Sequence, residues 1–379
     1  MPALTRKSGK TLVKQLKDAL MEEIRAGRLR SGEKIPSERD LTRIYGVSRA
    51  TVRNTVLALA AERIVTRAVG SGTYVNEGID LETGGFSGIG TIGLLVGRQH
   101  VPIRNIHDDF YYYRVMEGIQ QELHSSNGHM LFAYIDEDEA ANAMTLTGLA
   151  GKVDGLLLAE TASRGLLDKA AELDVPCVLI NSSIDEVDLP FDSLGVNNRA
   201  GARKAVSYLI GLGHERIGCI RGPVSSRAAN DRYEGYLHAL EEAGIPRDAV
   251  EVEQARGWTT EDGIVAVAQI LSRAPHLSAL FCASDTLALG AIEAAAGRRN
   301  VPAELSVVGF DDISLSAHTH PPLTTVRSPT FELGQLSGRQ LLKRIANRKL
   351  SITSVLLSPQ LVVRESCAGP ATKVLGTSR

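Results

Sequence analysis

The stretch PSERDLTRIYGVSRATVRNTVLALAAE, residues 36–62, contains two short helical patterns separated by a single glycine. Ser37, with an aspartate three residues later, has the spacing of a capping box and predicts the start of the first helix. Leu41 and Ile44 are expected to face inward from that helix. Ser48 can cap a second helix that continues to the end of the stretch. Two helices joined by a tight turn predict a helix-turn-helix.

Three arginines of this stretch are candidates for contacts with DNA. Arg49 and Arg53 are four residues apart on the second predicted helix, on the face opposite Val52 and Val56. In a helix-turn-helix this helix enters the major groove, where a guanidinium can donate two hydrogen bonds to guanine. Arg39 lies at the start of the first helix, where a helix N-terminus and a cation suit a phosphate or a base edge. The same arginines could instead only solubilise a charged helical hairpin, so the neighbouring segments must decide.

Elements on both sides extend the pattern to a winged helix-turn-helix. Residues 11–26 carry Leu or Ile at every fourth position and predict an amphipathic helix. Residues 64–75 contain two β-type runs joined by a short glycine turn, which predicts the wing. The predicted turn comprises Gly70, Ser71 and Gly72. We therefore expect a winged-helix domain over residues 1–76.

The head of the chain is basic and the remainder is acidic. Residues 1–77 hold 15 Lys and Arg against 8 Asp and Glu, a net charge of +7, whereas the other residues carry −9. This asymmetry favours a polyanion as the partner of the head alone. Residues 77–90 have five glycines, three acids and no Lys or Arg. That composition predicts a flexible linker that does not itself contact DNA.

From Thr91 onward, apolar runs alternate with helical patterns in two series. Near-continuous apolar strands between helices are typical of parallel sheets covered on both faces, so the two series predict two α/β lobes. The cleft between such lobes is where a small ligand would bind. The predicted strands are 91–97, 129–135, 153–159 and 175–181 in the first series and 216–222, 278–284 and 305–310 in the second. The predicted helices include 114–126, 199–212 and 231–243.

The composition predicts a cytoplasmic protein without a membrane segment. Of 379 residues, 43% are apolar and 23% are charged, and no apolar run approaches the ~18 residues that span a bilayer. The N-terminus lacks the apolar core of a secretory signal. Four widely separated cysteines suit reduced core thiols better than disulfides or a zinc site. His318 and His320 suggest a metal only weakly, because loop histidines beside prolines are more often structural; no metal or cofactor is expected.

Three motifs of the head resemble the winged-helix domain of GntR-family transcription regulators. The motifs GxxxxGxKIPSERDL, YGVSRATVR and GSGTYV occur in this order within about residues 10–76. The resemblance implies that Arg39, Arg49 and Arg53 contact bases or nearby phosphates. It also implies DNA-backbone contacts from Ser37, Ser48 and Thr51, and a close approach of Gly70, Ser71 and Gly72 to the minor groove.

The body resembles the effector domain of LacI/GalR-family repressors, which shares the periplasmic sugar-binding fold. The resemblance covers about residues 91–365, and we place the effector domain at 91–366 and a tail at 367–379. It implies that Arg232 bonds sugar hydroxyls and that Asp311 accepts bonds from them. A guanidinium and a carboxylate that face each other across a cleft suit a polyol, because each hydroxyl both donates and accepts.

Further effector contacts are implied by the same resemblance. Trp258, the single Trp, would stack on the apolar face of the ligand, or it is a packed core side chain. Where many family members have Asn-Asp, this chain has Ser284-Asp285, so one ligand contact could be lost. Asp285 could equally serve as a helix cap. The remaining candidates are Tyr111, Tyr112 and Asn181, together with Ser284 and Asp285.

A GntR-type head on a LacI-type body is the arrangement of arabinose repressors. The expected function is therefore that of a DNA-binding regulator, a repressor of sugar-catabolic genes that leaves its operator when a sugar binds, with L-arabinose as one candidate. Double-stranded operator DNA and a second copy in a homodimer are the expected partners. An activator built on the transport-type sugar-binding fold, or a GntR-type regulator with a non-sugar effector, stays open.

An enzyme is not expected. A GntR head fused to a pyridoxal-phosphate domain would need a Schiff-base lysine, and lysines are scarce between residues 91 and 340. Those present, Lys152, Lys169 and Lys204, lie in polar helical or loop segments. No spacing typical of a nucleophile with its base stands out.

Overall fold

The computed structural model divides into two compact units, the first holding Met1–Gly90 and the second most of the chain from Thr91 onward. Within its described ranges, no helix is long and apolar enough to cross a membrane. The structure describes residues 11–30, 32–61, 64–68, 71–76, 79–80, 85–86, 90–97, 110–124, 128–135, 138–160, 164–173, 175–182, 191–246 and 251–370.

The first unit is a winged helix-turn-helix. Its strands pair as an antiparallel ribbon with Val65 opposite Val75. One apolar core joins all its elements, from Leu16 on the first helix to Val52 on the third. The elements are α1 (Leu12–Arg25), α2 (Glu38–Tyr45), α3 (Arg49–Ala61), β1 (Val65–Ala68) and β2 (Gly72–Val75).

Local capping sets the helix-turn-helix boundaries. The Ser37 hydroxyl accepts a hydrogen bond from the Asp40 amide at 3.2 Å, and the Ser48 hydroxyl accepts one from the Thr51 amide at 3.1 Å. Gly46 ends α2 with φ +65°, a conformation that glycine adopts at little cost. The predicted caps at both serines are therefore confirmed.

The prediction that Ile44 faces inward is wrong. Leu41 is 1% exposed, but Ile44 is 40% exposed and Tyr45 is buried instead. Residues four apart on a helix share one face, so Leu41 and Tyr45 point together into the core. Ile44 consequently lies at the solvent side of that face.

The segment predicted as a linker contains a short antiparallel pair. Strands β3 (Ile79–Asp80) and β4 (Gly85–Phe86) pair with Ile79 opposite Phe86. The prediction of a wholly coil-like linker therefore needs this correction.

The second unit contains two α/β lobes, as predicted. The N-lobe has a parallel six-stranded sheet in the order β15-β9-β8-β7-β5-β6. Helices α4 and α11 pack together, and α11 also covers strands of this sheet. The N-lobe elements are β5 (Thr91–Gly97), α4 (Phe110–His124), β6 (His129–Ile135), α5 (Glu139–Leu149), β7 (Gly155–Ala159), α6 (Arg164–Glu172), β8 (Cys177–Ile180), β9 (Asp192–Val196), α11 (Thr330–Ala346) and β15 (Ser354–Leu357).

The C-lobe has a parallel four-stranded sheet in the order β11-β10-β12-β13. Helices α7 and α8 pack as one pair and α9 and α10 as another, and each pair contributes to its own core cluster. The elements are α7 (Asn198–Gly211), β10 (Ile217–Arg221), α8 (Arg227–Glu242), β11 (Glu251–Gln254), α9 (Thr260–Arg273), β12 (Ala279–Cys282), α10 (Asp285–Ala295), β13 (Ser306–Val308), β14 (Thr325–Arg327) and β16 (Gln360–Val362).

The chain passes between the lobes three times. It leaves the N-lobe after β9, returns to it between β14 and α11, and leaves again between β15 and β16. The last two passages lie side by side because β14 and β16 pair antiparallel, with Arg327 opposite Gln360. We call residues 327–330 and 357–360 the paired crossovers.

The segment after residue 366 was predicted as a tail, but its first residues are packed on the C-lobe. The Ala368 amide donates to Ser306 Oγ at 3.0 Å, and the ring of His214 contacts the Ala368 carbonyl at 2.8 Å. All four cysteines are free, and Cys177, Cys219 and Cys282 are buried.

Candidate DNA-binding surface and effector pocket

Three arginines of the head are exposed and uncommitted. Arg39, on the first turn of α2, and Arg49 and Arg53, on α3, all have exposed side chains. Among the described residues, no acidic side chain forms an ion pair with any of the three. Their guanidiniums remain available to a polyanion.

Other arginines of the head are paired with acids. Arg43 lies 3.1 Å from Asp40 within α2, and Arg67 on β1 lies 3.3 Å from Glu38. Arg39, Arg49 and Arg53 therefore differ from these two arginines, although Arg30 is likewise exposed without an ion pair in the described part of the chain. This contrast supports the first group as the DNA-contacting one.

The hydroxyl groups expected at the DNA backbone take part in local structure. Ser48 Oγ and Thr51 Oγ1 are 2.9 Å apart, and both serine caps lie at helix N-termini. Helix N-termini favour anions, so a phosphate can bind there beside the hydroxyls. A phosphate oxygen only accepts, so each hydroxyl must donate its hydrogen to it. The Ser37 hydroxyl donates to Asp40 Oδ2 at 2.6 Å instead, and the Ser48–Thr51 contact uses one of the two hydroxyl hydrogens of that pair.

The wing has a tight and crowded turn. Ser71 Oγ lies 2.6 Å from the hydroxyl of Tyr74. Gly72 has φ +134°, and a Cβ there would collide with the side chain of Lys34. Gly70 lies outside the described residues.

Arg232, in the second unit, is held by four side-chain hydrogen bonds. It lies in α8 and is only 4% exposed. Its guanidinium donates to Asp311 at 2.8 and 3.2 Å, to Asn198 Oδ1 at 2.9 Å and to the Ala283 carbonyl at 2.6 Å. Its guanidinium carbon also lies 3.8 Å from the centre of the Phe310 ring. These contacts fix the charge in one orientation.

Asp311 is held in a strained backbone conformation beside this arginine. Its φ is +111°, which L-residues rarely adopt. Its carboxylate also accepts from Ser328 Oγ at 3.2 Å. Burial raises the pKa of Asp311 above its usual value, although the ion pair with Arg232 and the bond from Ser328 oppose this rise.

The expectation that Arg232 and Asp311 face each other across the cleft is wrong. Helix α8 and the loop after β13 both belong to the C-lobe, so the two side chains meet directly as a bidentate pair. Bidentate pairing aligns one edge of the guanidinium with both carboxylate oxygens. The two side chains therefore lie in the same lobe, and Arg232 orients the Asp311 carboxylate.

The N-lobe contributes a second polar group from the ends of its strands. Asn181, directly after β8, donates to the hydroxyl of Tyr111 at 2.9 Å. Tyr112 donates to Glu160, directly after β7, at 3.0 Å. Asn181 and Glu160 have φ of +53° and +52°. Burial raises the pKa of Tyr111, and the nearby charges of Asp311 and Glu160 act in the same direction.

Glu160 and Ser328 are site residues that sequence reasoning missed. Glu160 follows the continuous apolar run GLLLA, the same signal that identified Asn181 after its own strand. Ser328 had no comparable signal, because it follows a strand of only three residues. The contacts of both with site residues became visible only in the structure.

A cavity of about 720 Å³ opens beside Asp311. Its walls come from the start of α4, the loop after β13 and the paired crossovers. Tyr111 and Asp311 are the members of the predicted effector set that line it. The other lining residues are Tyr113, Arg114, Asp312, Ile313, Ser314, Arg327, Ser328, Pro329, Thr330, Phe331, Glu332, Ser358 and Gln360.

Trp258 packs at the edge of a C-lobe core and is partly exposed. A Cβ at Gly222 would collide with its ring, so the glycine allows this close packing. The Arg232 guanidinium lies 5.9 Å from the ring centre. Trp258 therefore packs against the C-lobe core and also lies beside the Arg232–Asp311 pair.

The pair Ser284-Asp285 is committed to the protein interior. Ser284 Oγ caps α10 by accepting from the Leu287 amide at 3.2 Å. Asp285, which is fully buried, accepts from the Ile313 amide at 2.9 Å, from Ser316 Oγ at 2.6 Å and from Thr325 Oγ1.

The predictions for this pair therefore need correction. The cap is Ser284, not Asp285, and the Asp285 carboxylate is used by internal donors instead of a ligand. Burial and the charge of Asp311 raise the pKa of Asp285 to about 7.

Family models match both parts of the chain. Residues 12–75 match the bacterial regulatory proteins of the gntR family, and residues 206–367 match a periplasmic binding protein-like domain. The chain is 32% identical over 278 residues to the ribose operon repressor of Haemophilus influenzae, and the aligned region covers 73% of this chain and 80% of that protein. It is 37% identical over 238 residues to the transcriptional regulator MalR of Streptomyces coelicolor, where the aligned region covers 61% of this chain and 68% of MalR.

One solved structure aligns with nearly the whole chain. The transcriptional regulator CelR in complex with cellobiose has a TM-score of 0.65, is 26% identical and covers 94% of this chain and 99% of its own. These relatives are named as transcription regulators and not as enzymes. The chain belongs to the bacterial transcription regulators, with a GntR-type winged-helix domain followed by a LacI-type, periplasmic-binding-protein-like effector domain.

Proposed function

We propose that this protein is a sugar-responsive transcriptional repressor that binds operator DNA as a homodimer in the cytoplasm and leaves it when a sugar binds. The observation that carries the sugar part is the buried Arg232–Asp311 pair beside the 720 Å³ cavity. The uncommitted arginines of the head carry the DNA part.

The pair suits hydroxyl groups because it holds a carboxylate acceptor at a fixed position. Asp311 lines the cavity and can accept from a sugar hydroxyl, whereas Arg232 lies outside the lining and orients the carboxylate. Tyr111, bonded to Asn181, supplies a further polar and aromatic surface from the opposite lobe. A ligand that contacts both lobes favours one angle between them.

The names of the relatives support a sugar without selecting L-arabinose. One relative is named a ribose operon repressor, and one solved structure holds cellobiose. The effector is proposed here as a sugar only. No catalytic step is assigned to the pocket.

DNA release follows from the dimer. Two heads read the halves of a pseudo-palindrome about 34 Å apart or at multiples of this spacing, so a change in head placement weakens binding. Linkage requires that DNA weakens sugar binding by the same factor.

The test combines thermal unfolding with DNA binding. Purified protein is unfolded with D-ribose, L-arabinose, cellobiose and ribose 5-phosphate, since a ligand of the native state raises the midpoint. DNA selected from a random-sequence pool then serves in fluorescence anisotropy with and without the sugar that shifts the midpoint. We expect one sugar to raise the midpoint and to weaken DNA binding.

The variant Asp311→Asn is expected to lose the thermal shift. Asp231→Asn is the matched control, because Asp231 lies beside Arg232 in α8 but pairs with the exposed Arg199 and Arg227. A full panel without a shift would refute the sugar effector, and a shift that survives in Asp311→Asn would refute the site.

A further inference from the structure

Asp312, the residue after the effector candidate Asp311, binds two arginines at once. Its Oδ2 accepts from Arg327 Nε at 2.6 Å and its Oδ1 from Arg364 Nη2 at 2.6 Å. The Asp312 side chain is 7% exposed, whereas those of Arg327 and Arg364 are 55% and 17% exposed. We call these three residues the crossover clamp.

The two arginines lie at the C-lobe ends of the paired crossovers, Arg327 within the first and Arg364 shortly after the second. Arg327 is the last residue of β14, directly before the chain enters the N-lobe. Arg364 follows β16, just after the chain has returned to the C-lobe. One carboxylate therefore links the ends of β14 and β16, the strands that lead into and out of the N-lobe.

Further bonds hold the clamp to the C-lobe. Arg364 Nη1 donates to the Leu323 carbonyl at 2.7 Å, and the Arg364 amide donates to Thr324 Oγ1 at 2.9 Å. The clamp is consequently anchored on one side, and rotation of the N-lobe must bend the backbone at or beyond Arg327.

The clamp is also continuous with the effector pocket. The Asp311 amide donates to the Val326 carbonyl at 2.7 Å, and Ser328 Oγ bonds to the Asp311 carboxylate. Asp312 and Arg327 line the cavity. A ligand that binds Asp311 therefore acts on Val326 and Ser328, the residues on either side of Arg327.

We propose that Asp312, with Arg327 and Arg364, is the positioning device that couples occupancy of the effector pocket to the angle between the lobes. This inference rests on the proposed function. Asp312 makes the crossovers move with the loop that carries Asp311. Without this link, sugar and DNA each change the other's affinity less.

The experiment measures coupling in the full-length protein, with D-ribose as the probe and the selected DNA. Four affinities are determined for each variant: for sugar alone, for DNA alone, and for each in the presence of the other. The variants are Arg327→Gln and Asp312→Asn. Arg273→Gln is the matched control, because Arg273 also joins two carboxylates of the C-lobe, Glu251 and Glu253, but lies away from the crossovers.

We expect Arg327→Gln to reduce the coupling factor by about 2- to 30-fold. Arg327 lines the cavity, so the affinity for sugar is measured separately, and the coupling factor is taken as the ratio of each affinity with and without the other ligand. The control should keep the coupling of the wild type. Arg327→Gln retains the Asp312–Arg364 bond, so it remains informative if Asp312→Asn unfolds.

Three results would overturn the inference. They are unchanged coupling in Arg327→Gln, an equal loss in Arg273→Gln, or a loss of coupling explained wholly by weaker sugar binding. A wild type in which D-ribose and every other sugar of the panel leave DNA binding unchanged would instead overturn the proposed function. The two failures are therefore distinct.

Discussion

In the first unit, the winged helix, Arg49 and Arg53 are exposed and no described acid pairs with them. In the second unit, which holds the effector pocket, Arg232 and Arg344 are buried, and each bonds a carboxylate through two nitrogens. The residue type is the same, but its use is opposite. Charge left free at a surface attracts a polyanion over a distance, while charge neutralised in the interior fixes geometry. The comparison predicts that substitutions will change DNA binding in the first unit and stability or ligand response in the second.

The largest expected effect is in the buried pair Arg344–Asp192. Arg344 lies near the end of α11 and donates to Asp192 Oδ1 and Oδ2 at 2.8 and 2.9 Å, and Asp192 is fully buried. Arg344→Met leaves that carboxylate without its cation and should cost about 3–5 kcal/mol of unfolding free energy. Urea unfolding followed by the fluorescence of Trp258 measures it, because the single Trp lies in this unit.

Arg339→Met on the same helix is the control for this prediction. Arg339 pairs with Glu122 at 2.7 Å but is half exposed, so its loss should lower the unfolding free energy much less than the loss of Arg344. If both substitutions cost the same, burial does not distinguish the two classes of arginine and the comparison fails.

The second prediction concerns the buried carboxyl group of Asp285. Its pKa is about 7 in the folded protein, against an ordinary value near 4. Between these values the native state holds a proton that the unfolded chain has lost. Stability should therefore fall by about 2–4 kcal/mol as the pH rises from about 4 to 7, and this contribution should stay constant above that range.

Asp285→Asn removes this titration and keeps a group that can accept from the Ile313 amide and Ser316. Unfolding free energies of both proteins at pH 5, 6, 7 and 8 should differ in slope, with the steeper decline in the wild type. The same measurements on Asp262→Asn, in the capping box of α9, are the control for the loss of one carboxylate elsewhere in the C-lobe. Parallel curves for the wild type and Asp285→Asn would show that Asp285 ionises below this range.

The third prediction concerns the head. Arg49→Ala should weaken binding to selected DNA by about 1–3 kcal/mol, which is about 5- to 150-fold, because it removes a donor to a base edge or phosphate. Stability should hardly change, because no described acid loses a partner. Anisotropy titrations at several salt concentrations measure both affinity and salt slope.

Arg43→Ala is the matched control in the head, since Arg43 is 80% exposed but pairs with Asp40. Equal losses from Arg43→Ala and Arg49→Ala would show a general effect of positive charge. A loss confined to Arg49→Ala would show a specific contact.

Sequence reasoning predicted elements whose signals are local. The caps at Ser37 and Ser48 depend on residues three positions away, and the long apolar strands depend on their own side chains. It missed β15 and the other short strands of the crossovers. Strand β15 alternates exposed and half-buried residues and exists through its pairing with β9, whose Ser193 lies opposite the distant Ser354.

The residues of the candidate site were largely predictable from the sequence, but their hydrogen-bond and ion-pair partners were not. Arg232 and Asp311 were both identified, yet their direct bond depends on the packing of α8 against the loop after β13. Asp285 lies in a motif that resembles a ligand contact, and only its three buried donors reveal a structural role. Which acid an arginine meets is a tertiary property that spacing does not contain.

The smallest expected effect is that of Arg67→Ala, and it tests whether pairing alone removes an arginine from DNA recognition. Arg67 on β1 bonds Glu38 at the start of α2, with both side chains nearly half exposed, so the substitution should change the unfolding free energy of the head by less than about 1 kcal/mol. If the pair persists on DNA, affinity should fall much less than in Arg49→Ala. A loss equal to that of Arg49→Ala would mean that the ion pair opens on the operator, because DNA phosphates then compete with Glu38 for the same guanidinium. Calorimetric melting measures stability and anisotropy measures DNA affinity, both on one protein preparation. If the ion pair opens on the operator, the DNA affinity falls while the melting temperature stays constant.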